Sequence, residues 1–587
     1  MSHFLTQLNT EPLKKLRDYL QPVQFQKGQC LITAGDAGDG CYLIDEGEVR
    51  VELHRRETDS EHVLCHLGPG SVIGEFSLLD GEPRSANVYA ETNVAARWLS
   101  RADFESACLE QPAVGVAVLT ALSRDLSAKL RQQNNQMADH MFASDPDLET
   151  RETVATSVSA QKEFANWTED RVDALLLDVA ETVAQQAEGL ADVNVTDTGI
   201  GVVADKILKI RFACREVYGT LSGRQAAGLL PEAGGRRVLN IAGPVGVVLG
   251  IIPVTNPVST IIFKTLICLK GRNALILSCH RDALRVGNMT GELIQSALKR
   301  HGAPAGLVQW IKNRTDRRKT AMLMRHPDVS FILATGGPSI VSAAYSSGTP
   351  AIGVGAGNAP VLICADADLR AAAEQVVRGK SFDNGIICGS ENNLVVVQSV
   401  RDEFIQQLEA AGARVLSPDE KHRLTASIFN PEDCHMKREI TGKSAAQIAA
   451  HAGIYPDTPP RLLVVPVKLD ELAGPYGHEK LAPILSLFTV ADEAEGLNVC
   501  QRILAQQGMG HTAVIHTRNE SLAKRFGLEM PASRVLVNAC AAQGCIGIGT
   551  GLTPSFTLGC GTYGGNSTTD NVTYTHVLNI KRLAFAS

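Results

Sequence analysis

Residues 238–254 read VLNIAGPVGVVLGIIPV and run into Thr255-Asn256-Pro257. This is the longest apolar stretch of the chain, and Asn, Gly and Pro interrupt it. A membrane helix needs about 20 largely unbroken apolar residues, so the stretch reads as two buried strands with a turn. Working outward, compact apolar runs recur at Val247–Pro253, Ala274–Ser278, Val329–Leu333, Pro360–Cys364, Leu394–Val397 and Val535–Asn538. Runs rich in Val and Ile, without alternation, are what strands buried on both faces require. Helical segments lie between them, which implies βαβ units and a parallel sheet.

The 587 residues are 44% hydrophobic and 20% charged, which excludes wholesale disorder. At about 150 residues per domain the length suggests about four domains, fewer if the α/β units are large. Lys and Arg number 56 against 63 Asp and Glu, a net charge of −7. That balance argues against a general binder of nucleic acid or anionic membrane. The 14 cysteines show no C-x-x-C pair and no metal-ligand spacing. They read as reduced thiols in a cytoplasmic protein without a metal site. The opening MSHFLTQLNTEPLKKLRDYL is amphipathic and does not read as a secretory signal.

Texture divides the chain. From residue 22 to about 100, glycine-punctuated runs such as Val49-Arg50-Val51-Glu52-Leu53 alternate, predicting an all-β unit. From Arg101, Phe104, Ala107, Val114, Val118, Leu122, Leu126 and Leu130 predict one long helix with an apolar face. The polar stretch Gln132–Ser159 predicts a linker. The expected division is therefore 1–135, a linker at 136–159, and 160–587.

Within the β unit, Gly74-Glu75-Phe76-Ser77-Leu78-Leu79-Asp80-Gly81 precedes Pro83-Arg84-Ser85-Ala86. A glycine opening a short helical turn presents free N–H groups to an anion. An arginine ten residues on suits a phosphate. Gly74 and Arg84 taken alone are equally a turn and a solvated charge. The whole string resembles the phosphate cassette of cyclic-nucleotide-binding domains, and Gly35-Asp36, Tyr42-Leu43-Ile44 and Gly47-Glu48-Val49 resemble that family's β-roll signature. The resemblance implies a β-roll with a helical lid after Arg101. It implies that Gly74, Glu75, Phe76, Ser77, Arg84 and Ser85 hold a cyclic nucleotide, cAMP or cGMP, with Glu75 on the ribose 2′-hydroxyl and Arg84 and Ser85 on the phosphate. Movement of the helix and linker would then regulate whatever follows.

In the second region Ser381-Phe382-Asp383-Asn384-Gly385-Ile386-Ile387-Cys388-Gly389-Ser390-Glu391 sets a cysteine among small residues. A lone cysteine is more often a buried hydrophobe than a nucleophile. Asn256, after an apolar strand, would point an amide into a cleft. Ala334-Thr335-Gly336-Gly337-Pro338 joins a strand to a helix, where a nucleotide phosphate meets a helix N-terminus. These strings, with AIGVGAGNAP at 351–360, HEKLAP at 478–483, Gly510-His511-Thr512 and LGCGTYGGNS at 558–567, resemble the aldehyde dehydrogenase superfamily, and within it the CoA-acylating branch.

The resemblance implies a Rossmann-like cofactor domain, a catalytic domain and an oligomerisation segment, assembled as a homodimer or homotetramer. It makes Cys388 the nucleophile, Asn256 and the Cys388 amide the oxyanion donors, and His511 a proton-transfer group or a structural histidine. Thr255, Ser278, Thr335, Gly336, Gly337 and Glu479 become the cofactor contacts, with Glu479 at the nicotinamide ribose. NAD is the expected cofactor and CoA the acyl acceptor. Ser278-Cys279-His280-Arg281 leaves NADP open, because arginine accommodates a 2′-phosphate. Where hydrolytic relatives carry a glutamate base, this chain has Val354, and valine accepts no proton. The expected product is acyl-CoA from a short aldehyde such as acetaldehyde or propionaldehyde; a substituted aldehyde stays open. Two other readings also stay open: a cyclic-nucleotide-responsive scaffold with an inactive dehydrogenase body, and a hydrolytic or semialdehyde dehydrogenase.

Overall fold

The computed structural model describes residues 16–54, 61–123, 126, 146–231, 238–312, 317–431 and 435–586. Contacts divide the chain into two units, Met1–Asp145 and Pro146–Ser587.

The first unit carries two four-stranded sheets. One orders Gln21–Phe25, Val94–Ser100, Gly40–Glu46 and Val72–Ile73; the other orders Cys30–Ile32, Asn87–Ala90, Val49–His54 and Glu61–Leu67. All pairings are antiparallel. Ile44, Val49, Val88, Ala90, Val94 and Ala96 form one of its buried clusters, as the alternating pattern requires. The expected long helix is broken. Arg101–Glu110 is capped by the Ser100 hydroxyl, which accepts from the Asp103 amide at 3.0 Å. Gln111 then leaves helical geometry at φ −138°, ψ 76° because Pro112 follows, and a second helix runs over 112–123. Phe104, Ala107, Val114, Val118 and Leu122 are buried as predicted; Leu130 lies outside the described residues.

The second unit begins inside the expected linker. Residues 136–145 lie outside the described set, but Pro146–Phe164 is a helix. Its Val154, Ala160 and Phe164 are buried, and the Ser157 hydroxyl donates to the Gly306 carbonyl at 3.0 Å. Apolar residues at helical spacing were outnumbered by polar ones there, which hid the buried stripe.

Two parallel sheets follow. The five-stranded sheet orders Val308–Trp310, Ala274–Cys279, Val247–Ile252, Val329–Ala334 and Ala351–Gly353. The seven-stranded sheet orders Ala413–Val415, Leu462–Pro466, Ile484–Val490, Glu391–Val397, Ala359–Ile363, Gly510–His516 and Ala532–Val537. Val247–Ile252 and Glu391–Val397 are buried at every position. The apolar stretch that opened the reading does make two strands, but only the second is a core strand. Val238–Pro244 is half exposed and belongs to a three-stranded antiparallel sheet with Gly228–Leu229 and Leu578–Ala584. Among the described residues no helix is long and apolar enough to cross a membrane.

The helix Glu169–Gln185 is fastened to the core helix Pro257–Lys270 by charge. Glu169 lies 3.1 Å from the fully buried Lys270 ammonium and 3.0 Å from Arg272, and accepts the Ala226 amide at 2.7 Å. Burial pushes its carboxyl up, but those donors outweigh it and hold it below the ordinary carboxylate range. A depressed carboxyl contributes stability at neutral pH that is lost as pH falls through its folded value. Glu169→Gln is therefore expected to cost about 2 kcal/mol at pH 7, less than the 3–5 kcal/mol of a fully enclosed pair because Glu169 stays 29% exposed. Thermal unfolding of both proteins from pH 7 down to pH 3 checks this: the gap should close towards acid.

Candidate active site

In the five-stranded sheet the chain order reverses between Val247–Ile252 and Val329–Ala334. Helices leave these two strands from neighbouring C-terminal ends, opening a crevice where open parallel sheets bind ligands. A cleft of 1380 Å³ lies there. Its wall includes Thr255, Asn256, Ser278, Thr335, Gly336, Gly337, Cys388 and Glu479, eight residues drawn from separate parts of the sequence. Val354 also lines it.

The cofactor side fits a dinucleotide. Thr335 Oγ1 is buried with no hydrogen-bond partner, so a donor or acceptor is missing from its surroundings. Gly337 precedes the helix Pro338–Tyr345 without any side-chain cap; Pro338 has no amide to give and the Ile340 amide already donates to the Gly337 carbonyl at 3.1 Å, so the Ser339 amide is the helical one left to meet a phosphate. Ser278, by contrast, shares its hydroxyl with Thr320 at 3.2 Å. Arg281 reaches the cleft but lies 3.3 Å from Asp282, which also pairs with Arg438.

Cys388 is part of the cleft wall. It packs against an apolar cluster that includes Ile387, Ile546 and Leu558, and Phe556 packs on the same cluster. Burial, then the Glu479 carboxyl, pushes its thiol up to about 12, and the Arg534 guanidinium pulls the other way. The resting sulfur is thus held protonated, and it would have to lose that proton before it could act as a nucleophile. Glu479 is itself pushed up to about 7 by burial, and accepts the Gly357 amide at 3.1 Å. A Cβ on Gly357 would collide with the Cys388 carbonyl oxygen, so glycine is required where the two loops cross. A carboxyl does therefore stand near the sulfur, although it is not at position 354.

His511 does not line the cleft. It is fully buried, its Nδ1 lies 2.9 Å from Thr512 Oγ1, and its Nε2 has no partner. Burial, aided by Arg534, holds it well below the usual imidazole range and so neutral. Its ring adjoins Gly389, next to the cysteine.

Sequence reasoning missed the charges behind Asn256. On the helix Val203–Phe212, Lys206 and Lys209 are buried to 2% and 1% and both pair with Asp383, which is inaccessible. Lys206 donates to the Thr255 carbonyl at 2.5 Å, and Lys209 donates to Asn256 Oδ1. Burial pushes the Asp383 carboxyl up, but Lys209 and Lys206 outweigh it and leave it lowered. Lysines three apart on a helix ordinarily mark a solvated face, so the pattern gave no signal. Among the described residues no group of His, Cys, Asp and Glu is arranged to hold a metal.

In the N-terminal unit Arg84 is buried, donates to the Gly74 carbonyl at 2.9 Å and lies 3.1 Å from Asp39, which is 76% exposed. Gly74 sits at φ 79°, where a Cβ would strike that guanidinium. Glu75 and Ser77 are buried, Ser85 is exposed and Phe76 is 49% exposed. The guanidinium is thus enclosed with one surface carboxylate as counter-ion, an arrangement that an incoming phosphate can complete.

Comparison with known proteins agrees with this geometry. The aldehyde dehydrogenase family model matches residues 129–556, and the cyclic nucleotide-binding domain model matches residues 22–111. The chain is 39% identical over 430 residues to the bifunctional aldehyde-alcohol dehydrogenase AdhE of Escherichia coli, covering 72% of this chain and 48% of that protein. It thus spans about half the length of such relatives. It is 36% identical over 467 residues to a sulfoacetaldehyde dehydrogenase (acylating) of Cupriavidus necator, covering 77% of this chain and 94% of that one. The crystal structure of an acetylating aldehyde dehydrogenase from Geobacillus thermoglucosidasius superposes with a TM-score of 0.73 at 39% identity, covering 75% of this chain and 97% of that chain. With its cleft at the sheet reversal and a cysteine on the cleft wall, this chain belongs to the aldehyde dehydrogenase family, and an N-terminal cyclic nucleotide-binding domain precedes that body.

Proposed function

We propose that the protein oxidises a short aldehyde to acyl-CoA with NAD or NADP, reversibly, and that a cyclic nucleotide regulates it. The observation that carries the reading is that Cys388 and Asn256 line the same cleft, with valine at position 354. Relatives named as acylating dehydrogenases support the product class.

The thiol gives up its proton, and His511, whose ring adjoins Gly389 and whose Nε2 has no partner, is the acceptor we assign, against the burial that opposes its protonation. The thiolate attacks the carbonyl carbon to give a thiohemiacetal alkoxide. The Asn256 amide and the Cys388 N–H hold that oxygen; one such donor contributes roughly 3–4 kcal/mol in the transition state. A nicotinamide bound in the cleft would accept the hydride at this point, and we assign Glu479 to its ribose. Collapse of the alkoxide leaves an acyl thioester on Cys388. Because Val354 activates no water, the CoA thiol takes the acyl group, and the departing Cys388 sulfur recovers the proton that the CoA thiol loses. The apolar cluster on which Cys388 packs, with Ile387, Ile546 and Leu558, favours a small apolar aldehyde such as acetaldehyde or propionaldehyde.

A second reading has one observation behind it: Glu479 stands near enough to Cys388 to disfavour its thiolate. If that carboxylate activated water, the product would be the free acid. Product analysis with and without CoA decides. The acylating account expects acyl-CoA only, and expects Val354→Glu to release acid in the absence of CoA. Acid from the wild type without CoA, abolished in Glu479→Gln, establishes the hydrolytic reading instead.

For the N-terminal domain, titration of the full chain with cAMP and with cGMP is expected to show binding that Arg84→Leu abolishes. Substrate or cofactor should change nucleotide affinity by the same factor as the nucleotide changes theirs. Binding that survives Arg84→Leu contradicts the site; binding without any change in affinity for substrate or cofactor contradicts the regulation.

A further inference from the structure

Asn256 sits where the strand Val247–Ile252 hands over to the helix Pro257–Lys270. It is that helix's cap residue, yet its side chain makes no capping bond. The carboxamide instead turns back to Lys209, whose ammonium donates to Oδ1. An amide whose oxygen is taken by a cation has only its Nδ2 hydrogens left to offer the cleft.

The ammonium is itself held. Lys209 pairs with Asp383 Oδ2, and Lys206 reaches the same oxygen at 2.9 Å. Asp383 Oδ1 accepts the Val202 amide at 2.7 Å, and the Asp383 amide donates to Asp205 Oδ2 at 2.7 Å. Asp383 and Asn384 adopt left-handed geometry, at φ 48° and 55°. Non-glycine residues hold such geometry when their surroundings over-determine it, commonly at functional sites. The same loop continues to Cys388, so one carboxylate anchors both the support of the amide and the segment that carries the sulfur.

We propose that Lys209, clamped by Asp383, is a positioning residue: it fixes the Asn256 carboxamide with Nδ2 facing the cleft and polarises it as a donor. This rests on Asn256 being the oxyanion donor. A hydrogen bond from a cation to an amide oxygen strengthens the donors on the same group, and the low local dielectric magnifies the effect. A group misplaced by about 1 Å costs on the order of 10²-fold in rate.

The test is a double-mutant cycle on the full chain with acetaldehyde, NAD and CoA. Asn256→Ala is expected to lower kcat by about 10²–10³-fold. Lys209→Met is expected to lower kcat by roughly 10²-fold with KM changed less than about threefold. Adding Lys209→Met to Asn256→Ala should cost less than about threefold more, because the group being positioned is already gone. Losses that multiply in the double variant, or a Lys209→Met enzyme with wild-type kcat, overturn the proposal. Wild-type kcat in Asn256→Ala overturns the oxyanion reading beneath it. If Lys209→Met does not fold, Asp383→Asn, nearly isosteric, repeats the cycle: a kcat loss of about tenfold that vanishes in the Asn256→Ala background supports the clamp, and a multiplying loss removes it.

Discussion

An ion taken out of water costs several kcal/mol unless the fold supplies its partners. The dehydrogenase body buries Lys206, Lys209, Lys264, Lys270, Arg272, Lys380 and Lys480 almost completely. The cleft depends on those partners being in place. Lys264 reaches from the helix after Asn256 to the carbonyls of Ile251 and Leu333, at 2.6 and 2.7 Å. Those two atoms end the strands that flank the sheet reversal, so one ammonium holds the crevice floor together. Burial lowers Lys264 to about 7, and its two strand-end carbonyls satisfy it where a carboxylate would otherwise be needed.

The same device recurs on the catalytic side. Lys480 donates to the carbonyls of Tyr476 and His478, and Lys380 donates to the carbonyl of Lys480 at 2.7 Å. Asn392 bridges Lys480 and His478 from the neighbouring strand, its oxygen accepting the Lys480 amide and its amide donating to the His478 carbonyl. These bonds fix the turn that carries Glu479, and Glu479 in turn takes the Gly357 amide beside Cys388. A cleft walled by loops is given the rigidity of the sheets through cation-to-carbonyl bonds. That is the pre-organisation which the proposed acyl transfer through Cys388 would require.

Much of this was legible in the sequence where a single physical rule governs. Buried parallel strands were readable because Val and Ile cannot alternate when both faces are covered, and Val247–Ile252 and Val329–Ala334 appear where the runs stand. The eight cleft residues were readable because their strings resemble a family. What stayed hidden was decided by tertiary neighbours. Val238–Pro244 pairs with a strand more than three hundred residues away, which no local pattern announces. The helix Pro146–Phe164 reads as polar linker until the surface that receives Val154 and Phe164 exists. The single helix expected after Arg101 ignored Pro112. Lys206 and Lys209 look solvated in sequence, and only Asp383, brought from far along the chain, makes them interior. Glu479 was placed at a ribose, while its proximity to Cys388 emerged only from the crossing at Gly357.

The central claim is that the acyl group passes through the sulfur of Cys388 before a thiol removes it. Mass spectrometry of the full chain, acid-quenched during turnover with acetaldehyde and NAD but no CoA, measures this directly. The account predicts an acetyl group on the peptide containing Cys388, discharged when CoA is added before the quench. An unmodified Cys388 peptide during active NADH production, or an acetyl group carried on another residue, would contradict it.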